Sequence, residues 1–228
     1  MRVEIFSGPG NAAAKINLEN NETCTAEAGA MISMSPDMSV ETTTHKKGSG
    51  GILKGAKRLF AGESFFLNHF TPGPAGGEVW VAPTLAGDMI AYELDNEKLV
   101  VQGGSFVAAE SGVDIDLGWE GFKSLFSGES LFWIHLSERG KAVLNAFGAI
   151  YPVEVDGDYI VDTGHIVAFN ETLNFSITKA GKSWVGSFLG GEALVCKFSG
   201  KGTVWCQSHN PASFGQTLGL LLKPRRES

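Results

Sequence analysis

Three glutamates, each preceded by a glycine in a recurring segment, are the side chains best suited to chemistry. The three pairs are Gly62-Glu63, Gly128-Glu129 and Gly191-Glu192. Carboxylates that converged on one point would raise one another's pKa or bind a cation. A Gly-Glu pair directly before a strand more commonly forms a turn in which the carboxylate accepts backbone N–H bonds. We therefore assign the pairs a structural turn role and leave open whether the three carboxylates converge.

The five histidines show no spacing that is typical of a metal site. A metal site on a β scaffold needs patterns such as His-x-His or His-Glu-x-x-His, and neither pattern is present. His69 and His135 stand at equivalent positions, each six residues after the glutamate of its repeat, whereas the third repeat offers Lys197 or Phe198. A three-histidine site is thereby excluded. We expect no metal and no cofactor.

Nucleophile and phosphate-binding motifs are also missing. Ser64 and Ser130 follow the Gly-Glu pairs, but neither stands in a Gly-x-Ser-x-Gly elbow between a strand and a helix. The glycine-rich residues 7–11 lack the Lys-Ser/Thr ending of a phosphate loop. We expect no catalytic residues and predict that the protein is not an enzyme.

The segments around the Gly-Glu pairs repeat three times along the chain. Residues 59–66 recur as 125–132 and, more weakly, as 188–195. A second block lies upstream of each copy, at residues 29–34, 104–109 and 164–169. Two blocks in the same order three times indicate a triplicated unit, with bounds of about 15–88, 89–148 and 149–222.

Local sequence within each unit is typical of strands. Short runs rich in Val, Ile, Phe and Trp are separated by Gly, Asn and Asp, and residues 113–117 and 173–177 alternate apolar with polar side chains. We expect two strands around an acidic turn before each upstream block and two strands around a glycine-bearing turn after each Gly-Glu pair. Helical periodicity is poor, with the best prospect of a short helix or loop at 50–59. The predicted fold class is all-β, with little or no helix.

A single unit would expose sheet edges and half a core, so the three units are expected to close on one another. This predicts a pseudo-threefold β-sandwich or double-stranded β-helix, and one domain spanning 1–228. Residues 45–51 are interpreted as an exposed loop within the first unit, with counterparts at 118–121 and 179–182.

Composition limits the partners and the compartment. The formal net charge of −7 disfavours nucleic acid and anionic membrane as partners. The chain has no apolar run long enough for a transmembrane segment, and we expect no secretory leader. The basic residues 223–226 are expected to be solvated. Three cysteines favour reduced thiols in the cytoplasm, although Cys196 and Cys206 could face each other across a hairpin.

The last unit carries residues that suggest a family. Residues 200–208, followed by 210–214, resemble the AIM (altered inheritance of mitochondria) family, which also occurs as a domain of unknown function in bacteria and archaea. The resemblance runs from about residue 16 to residue 222. It implies a fold like that of the tryptophan RNA-binding attenuation protein (TRAP-like) and supplies no catalytic or ligand residue. The mitochondrial relatives are linked to inner-membrane organisation. Because we expect no import signal in this chain, we do not expect that role for it.

The expected function is therefore that of a non-catalytic binding or scaffold protein. Low charge and closed β repeats favour a homo-oligomer with a possible protein partner, and Trp119 and Trp184 are candidate contact residues in loops. The alternative is a small-ligand-binding protein with a pocket between units. Its candidate lining residues are Phe65, Trp80, Trp133 and Trp205. A metal-dependent enzyme that uses the three glutamates is a third, less favoured possibility.

Overall fold

The computed structural model describes residues 1–43, 66–116, 133–178 and 195–222, in which it shows sixteen strands and one α-helix. The predicted all-β fold is thus confirmed. The strands are β1 (Arg2–Phe6), β2 (Ala13–Leu18), β3 (Cys24–Glu27), β4 (Met31–Met34), β5 (Ser39–Thr43), β6 (Leu67–Thr71), β7 (Gly77–Val81), β8 (Met89–Asp95), β9 (Leu99–Gln102), β10 (Phe106–Glu110), β11 (Val113–Asp116), β12 (Trp133–Asn145), β13 (Ile150–Asp162), β14 (Ile166–Asn170), β15 (Asn174–Thr178) and β16 (Val195–Gln207). The helix is α1 (Pro211–Gly219).

Alternation of side chains explains why these segments form strands. In β2, Ala14, Ile16 and Leu18 are buried, whereas the residues between them are only partly buried. Successive side chains of a strand point to opposite faces, so one face of β2 enters the core and the other meets solvent. The same pattern recurs at the end of β7 and in β3.

The named strands pair antiparallel and form two sheets. The smaller sheet has the order β1-β2-β7-β4. The larger follows the path β13-β16-β14-β9-β12-β10-β3-β6-β5, with β8 and β11 also paired to β12, and β15 paired to β16. Consecutive strands therefore often pair within a repeat, while a few pairs join one repeat to the next.

All three repeats use one pairing scheme. The long strand β12 pairs with β8, β9, β10 and β11, and β16 pairs likewise with β13, β14 and β15. In the first repeat, β6 and β7 together take the place of the long strand. An irregularity of register falls at the same point each time, after Met31, Phe106 and Ile166. These positions coincide with the upstream block found in the sequence. The unit bounds and the closure around a threefold axis stay predictions.

Three expected turns lie inside continuous strands. The acidic turn at 156–158 is part of β13, and the glycine-bearing turns near residues 140 and 200 are part of β12 and β16. Gly157, with φ of +110°, pairs with Gly200, with φ of +115°. Glycine adopts such angles without a steric penalty, so the two strands bend together there and keep their pairing.

The core consists of three clusters of buried apolar side chains, each shared by neighbouring repeats. The first cluster includes Phe70 and Val79 of the first repeat together with Val107 of the second. The second extends to Val167 of the third repeat, and the third includes Val100 of the second. The repeats are therefore packed against one another through their cores.

The suggested facing of Cys196 and Cys206 is wrong. Both lie on β16, ten residues apart along one strand, and face Val161 and Tyr151 on β13. At about 3.3 Å per residue, their separation far exceeds the reach of a disulfide. These two thiols and that of Cys24 are free and buried.

Candidate interaction surface

The residues of the repeated Gly-Glu turn lie outside the described part of the chain. The same holds for other residues singled out from the sequence. These are Gly62, Glu63, Gly128, Glu129, Gly191 and Glu192, together with Phe65, Trp119, Trp184 and residues 223–226. Their turn role, and the question whether the three carboxylates converge, stay predictions.

The structure places Lys197, rather than Phe198, at the position equivalent to the two repeated histidines. His69 lies opposite Thr25 of β3, His135 opposite Val100 of β9, and Lys197 opposite Ile160 of β13. These are equivalent rungs of the three repeats. The third repeat thus carries an amine where the other two carry imidazoles.

Each of these three side chains binds a polar neighbour of its own repeat or the next. The Nδ1 and Nε2 atoms of His69 lie 2.9 and 2.8 Å from the hydroxyls of Thr25 and Thr43. His135 Nε2 lies 2.9 Å from a carboxylate oxygen of Glu171, and the Lys197 ammonium lies 2.7 Å from a carboxylate oxygen of Asp158. Within the described ranges, no group of three or more His, Cys, Asp or Glu side chains is placed to hold a metal ion. These contacts stabilise strands.

The three described tryptophans pack against other rings. Trp80 lies 4.9 Å from Phe6, Trp133 lies 5.6 Å from Phe169, and Trp205 lies 5.1 Å from Tyr92, measured between ring centroids. A surface cleft of about 430 Å³ lies elsewhere. It is lined by Met1, Arg2, Asn17, Leu18, Glu19 and Glu22. The tryptophans therefore do not line this cleft.

Two residues that line this cleft, Met1 and Glu22, form an ion pair with each other. The Met1 ammonium donates to the carboxylates of Glu22 and Glu110, the latter at 2.8 Å. Burial lowers the pKa of the ammonium, but the hydrogen bonds to the two carboxylates outweigh this and raise it. The hydrogen bond with the ammonium in turn lowers the pKa of Glu22. The pair ties the first strand to the second repeat.

A buried polar network lies near the end of the first family-like block, residues 200–208, of the last unit. The Gln207 side chain accepts a hydrogen bond from the Phe147 N–H at 2.8 Å and donates one to the Gly164 carbonyl at 2.9 Å. His165 Nδ1 lies 2.8 Å from the Gln207 carbonyl. The network holds the end of β16 against the turn before β14, so these residues are structural. Sequence analysis missed them because their partners are over 40 residues away.

The helix α1 was not expected. Asn210 accepts hydrogen bonds from the N–H groups of Ala212 and Ser213, and Pro211 occupies the first turn. An Asn cap followed by Pro is a helix-start signal that could have been found. No side chain of the helix is buried; Phe214 contacts the ring of Phe147. The helix and the residues after it present exposed apolar side chains. They are Phe214, Leu218, Leu220, Leu221 and Leu222.

A second group of exposed apolar side chains lies on strands. Met31, Ile32 and Met34 of β4 are exposed, as are Tyr159 and Ile160 of β13. Natural edge strands usually carry charges or proline that discourage pairing. Strand β4 carries neither. Groups of exposed apolar side chains are typical of protein contact surfaces.

Three comparisons relate the chain to known proteins. A family model described as mitochondrial biogenesis AIM24 matches residues 3–209. An uncharacterised protein of Streptococcus pyogenes serotype M6 is 28% identical over 210 residues, which span 90% of this chain and 84% of the relative. A crystal structure of a Streptococcus pyogenes protein, from a structural genomics consortium, superposes with a TM-score of 0.80 at 24% identity. That superposition covers 97% of this chain and 99% of the other, and it supports the same fold.

Proposed function

The chain belongs to the mitochondrial biogenesis AIM24 family, and we propose that it acts as a non-catalytic oligomeric scaffold. The observation that carries this proposal is the exposure of apolar side chains on β4, on β13 and after α1. Water contact with so many apolar groups is unfavourable, and burial against another protein surface removes it. The surface thus favours assembly with protein rather than a soluble substrate.

The absence of catalysis is proposed from what the polar side chains do. Among the described residues, the polar side chains of His69, His135 and Gln207 are each engaged in bonds that hold strands together. At the cleft near the first residues, the charged groups of Met1 and Glu22 are likewise bonded to each other, as part of an ion pair that includes Glu110.

The proposed partners are proteins and the proposed compartment is the cytoplasm. The net charge of −7 disfavours nucleic acid, and three buried free thiols are typical of a reducing environment. Within the described residues, no helix is long and apolar enough to cross a membrane.

Native mass spectrometry and light scattering of the untagged protein test the proposal. We expect a discrete homo-oligomer at micromolar concentration whose mass is a multiple of 24.2 kDa, with no added mass. A monomer at that concentration would contradict the oligomeric scaffold. A constant added mass would instead support the ligand-binding alternative.

A further inference from the structure

The most exposed large apolar side chains of the described chain follow helix α1. Leu220, Leu221 and Leu222 are 89%, 78% and 63% exposed. Phe214 and Leu218, within the helix, are 46% and 40% exposed. Because α1 buries no side chain, it holds this group at the surface of the protein. Contact of so many apolar side chains with water is unfavourable, so the group is suited to a partner that removes them from water.

The three leucines after α1 do not share one face. The N–H groups of Leu221 and Leu222 donate to the carbonyls of Leu218 and Gly219, each three residues earlier. Three residues complete a turn of this kind, so successive side chains point about 120° apart. The leucines therefore surround the chain axis. A groove on another protein covers one side of such a segment, whereas a fluid lipid layer can surround all of it.

The charge of this part of the sequence is opposite to that of the whole chain. No Asp or Glu occurs from residue 193 to residue 226, a stretch that contains five Lys or Arg residues. Three of the five, Lys223, Arg225 and Arg226, directly follow the leucines in the sequence. The net charge of −7 arises from the residues before this stretch. Lys and Arg next to an apolar segment attract it to the headgroups of anionic lipids.

A carboxylate at the start of α1 is too distant to oppose this attraction. Asn210, which caps the helix, has its amide nitrogen 3.5 Å from a carboxylate oxygen of Asp162. At 1.5 Å per residue, Leu220 lies roughly 15 Å further along the chain. Exposed charges are largely screened beyond about 8 Å at physiological ionic strength. The basic residues after Leu222 are therefore free of the influence of Asp162.

We propose that Leu220, Leu221 and Leu222 insert into the surface of an anionic lipid bilayer, and that the basic residues after them bind its headgroups. The attachment is peripheral, with the apolar side chains at the boundary between headgroups and acyl chains. Such binding strengthens with the apolar area buried and with attraction to anionic lipids, and this segment supplies both. The exposed apolar side chains of β4 and β13 differ, because they lie along strands that another protein can cover. The proposal goes beyond the proposed scaffold and does not rest on it.

Co-sedimentation with vesicles tests the lipid requirement. The probes are vesicles of phosphatidylglycerol and phosphatidylcholine in equal amounts, and vesicles of phosphatidylcholine alone. We expect the full chain to bind the anionic vesicles at least roughly tenfold more tightly, because the basic residues contribute only where the lipid is anionic. Added salt should weaken this binding. Equal binding to both kinds of vesicle, or binding to neither, would overturn the proposal.

A pair of matched variants tests the apolar part of the contact. Leu221→Ser should weaken binding to the anionic vesicles by roughly tenfold, because the larger apolar side chain is no longer removed from water. Val40→Ser, at an exposed position of β5, is the control and should bind as the wild type does. Unchanged far-ultraviolet circular dichroism establishes that each variant is folded. Equal binding by Leu221→Ser and the wild type would contradict insertion of the leucines.

A second pair tests the basic part. A chain with Arg225→Gln and Arg226→Gln should bind the anionic vesicles roughly tenfold more weakly or worse, because two headgroup contacts are lost. A chain with Lys98→Gln and Arg139→Gln loses the same charge at two other exposed side chains, and should bind as the wild type does. Equal weakening in both chains would show that overall charge, and not this segment, governs binding.

A dye attached to the segment reports insertion directly. Leu221→Cys is labelled with a polarity-sensitive nitrobenzoxadiazole group, and the three natural thiols are buried. We expect a blue shift and a gain in fluorescence with anionic vesicles, and neither for labelled Val40→Cys. If the labelled Leu221→Cys chain sediments without a shift, another surface binds the lipid and the proposal is wrong. If Leu221→Ser changes the mass of the wild-type assembly without lipid, the leucines pack against protein, which also overturns it.

Discussion

At the scale of single residues, Glu27 is a carboxylate in an unfavourable setting. It is half-buried at the end of β3, the strand that pairs with β10 of the second repeat. Burial raises its pKa to about 7 from an ordinary 4.5. The unfolded chain therefore releases this proton at lower pH than the folded chain does. As pH rises from about 4.5 to about 7, the ionisation of Glu27 therefore lowers the free energy of unfolding, and above about pH 7 this loss is constant.

Glu27→Gln should remove this pH dependence. We expect the variant to match the wild type near pH 4 and to be more stable by about 1 kcal/mol at pH 8, a value reduced for the solvent contact that Glu27 retains. Urea unfolding at both pH values measures the difference. Glu41→Gln, an exposed change on β5, is the control and should not alter the pH profile. If the free energy of unfolding of Glu27→Gln changed between the two pH values as much as that of the wild type, Glu27 would not be the source of the pH dependence.

Gln207 is the residue whose side chain connects separate elements. Gln207→Ala leaves the Phe147 N–H and the Gly164 carbonyl without this partner. Because both contacts are partly buried, we expect a loss of about 2–3 kcal/mol in the free energy of unfolding. Thr172→Ala removes one exposed hydrogen bond to the Lys201 carbonyl and should cost less than about 0.5 kcal/mol. If chemical denaturation gave equal losses in the free energy of unfolding for Gln207→Ala and Thr172→Ala, the buried network would not be what Gln207 contributes to stability.

The sequence revealed repeated residues better than it revealed their partners. The equivalence of His69 and His135 follows from the repeat and is seen in the structure. The hydrogen bonds of Gln207 and the ion pair between Met1 and Glu110 join residues far apart in the chain. Residue type and local spacing carry no information about such pairs, because they depend on how whole strands are arranged.

At the scale of elements, the paired glycines at the bend of β13 and β16 replace the turns that sequence analysis expected. Gly-rich polar segments are typical of turns, and only the pairing across the bend distinguishes a bent strand from two strands. Helix α1 was missed for a different reason. It has only nine residues, fewer than the window over which apolar periodicity identifies a helix, and its sequence signal is the Asn210 cap followed by Pro211.

Gly200→Ala tests the bend directly. The residue has φ of +115°, an angle that a side chain rarely adopts, so we expect a loss of about 1–2 kcal/mol in stability. Gly215→Ala is the contrasting variant. A Cβ there meets nothing within 4 Å, and alanine favours the helix by up to about 1 kcal/mol. Thermal unfolding of both variants gives the comparison, and a neutral Gly200→Ala would show that the bend tolerates other backbone angles.

The helix cap can be tested separately. Asn210→Ala removes the side-chain acceptor for the N–H groups of Ala212 and Ser213. We expect about 1 kcal/mol less helix stability. Because α1 buries no side chain, the loss should appear as faster amide hydrogen exchange in α1 while β16 remains protected. Equal acceleration in β16 would show that the helix and the strand unfold together.

At the scale of the whole molecule, the sequence predicted an all-β chain with three similar segments but not the order of its strands. That order depends on the strand pairs between repeats, β3 with β10 and β9 with β14, in which Ala26 lies opposite Ala108 and Val101 opposite Ala168. The presence of such apolar residues in a sequence does not say which repeat they contact. Among the described strands, β4 and β13 each pair with a single strand, and no local sequence signal marks which strands do so.

The cysteines report whether the chain unfolds as one domain. Cys24 lies in the first repeat, and Cys196 and Cys206 lie in the third. Burial raises the pKa values of their thiols to about 12, about 12 and about 11. The reactive thiolate is therefore scarce in the folded protein, and alkylation requires opening of the structure.

A single domain spanning 1–228, held by core clusters shared between repeats, predicts that all three thiols become reactive together. We expect equal alkylation rates for Cys24, Cys196 and Cys206 at each urea concentration below the transition, measured by peptide mass spectrometry after pulse labelling. Gly200→Ala should accelerate all three equally, because it weakens one cooperative unit. If it accelerates only Cys196 and Cys206, the third repeat unfolds by itself, and the shared clusters do not couple it to the first.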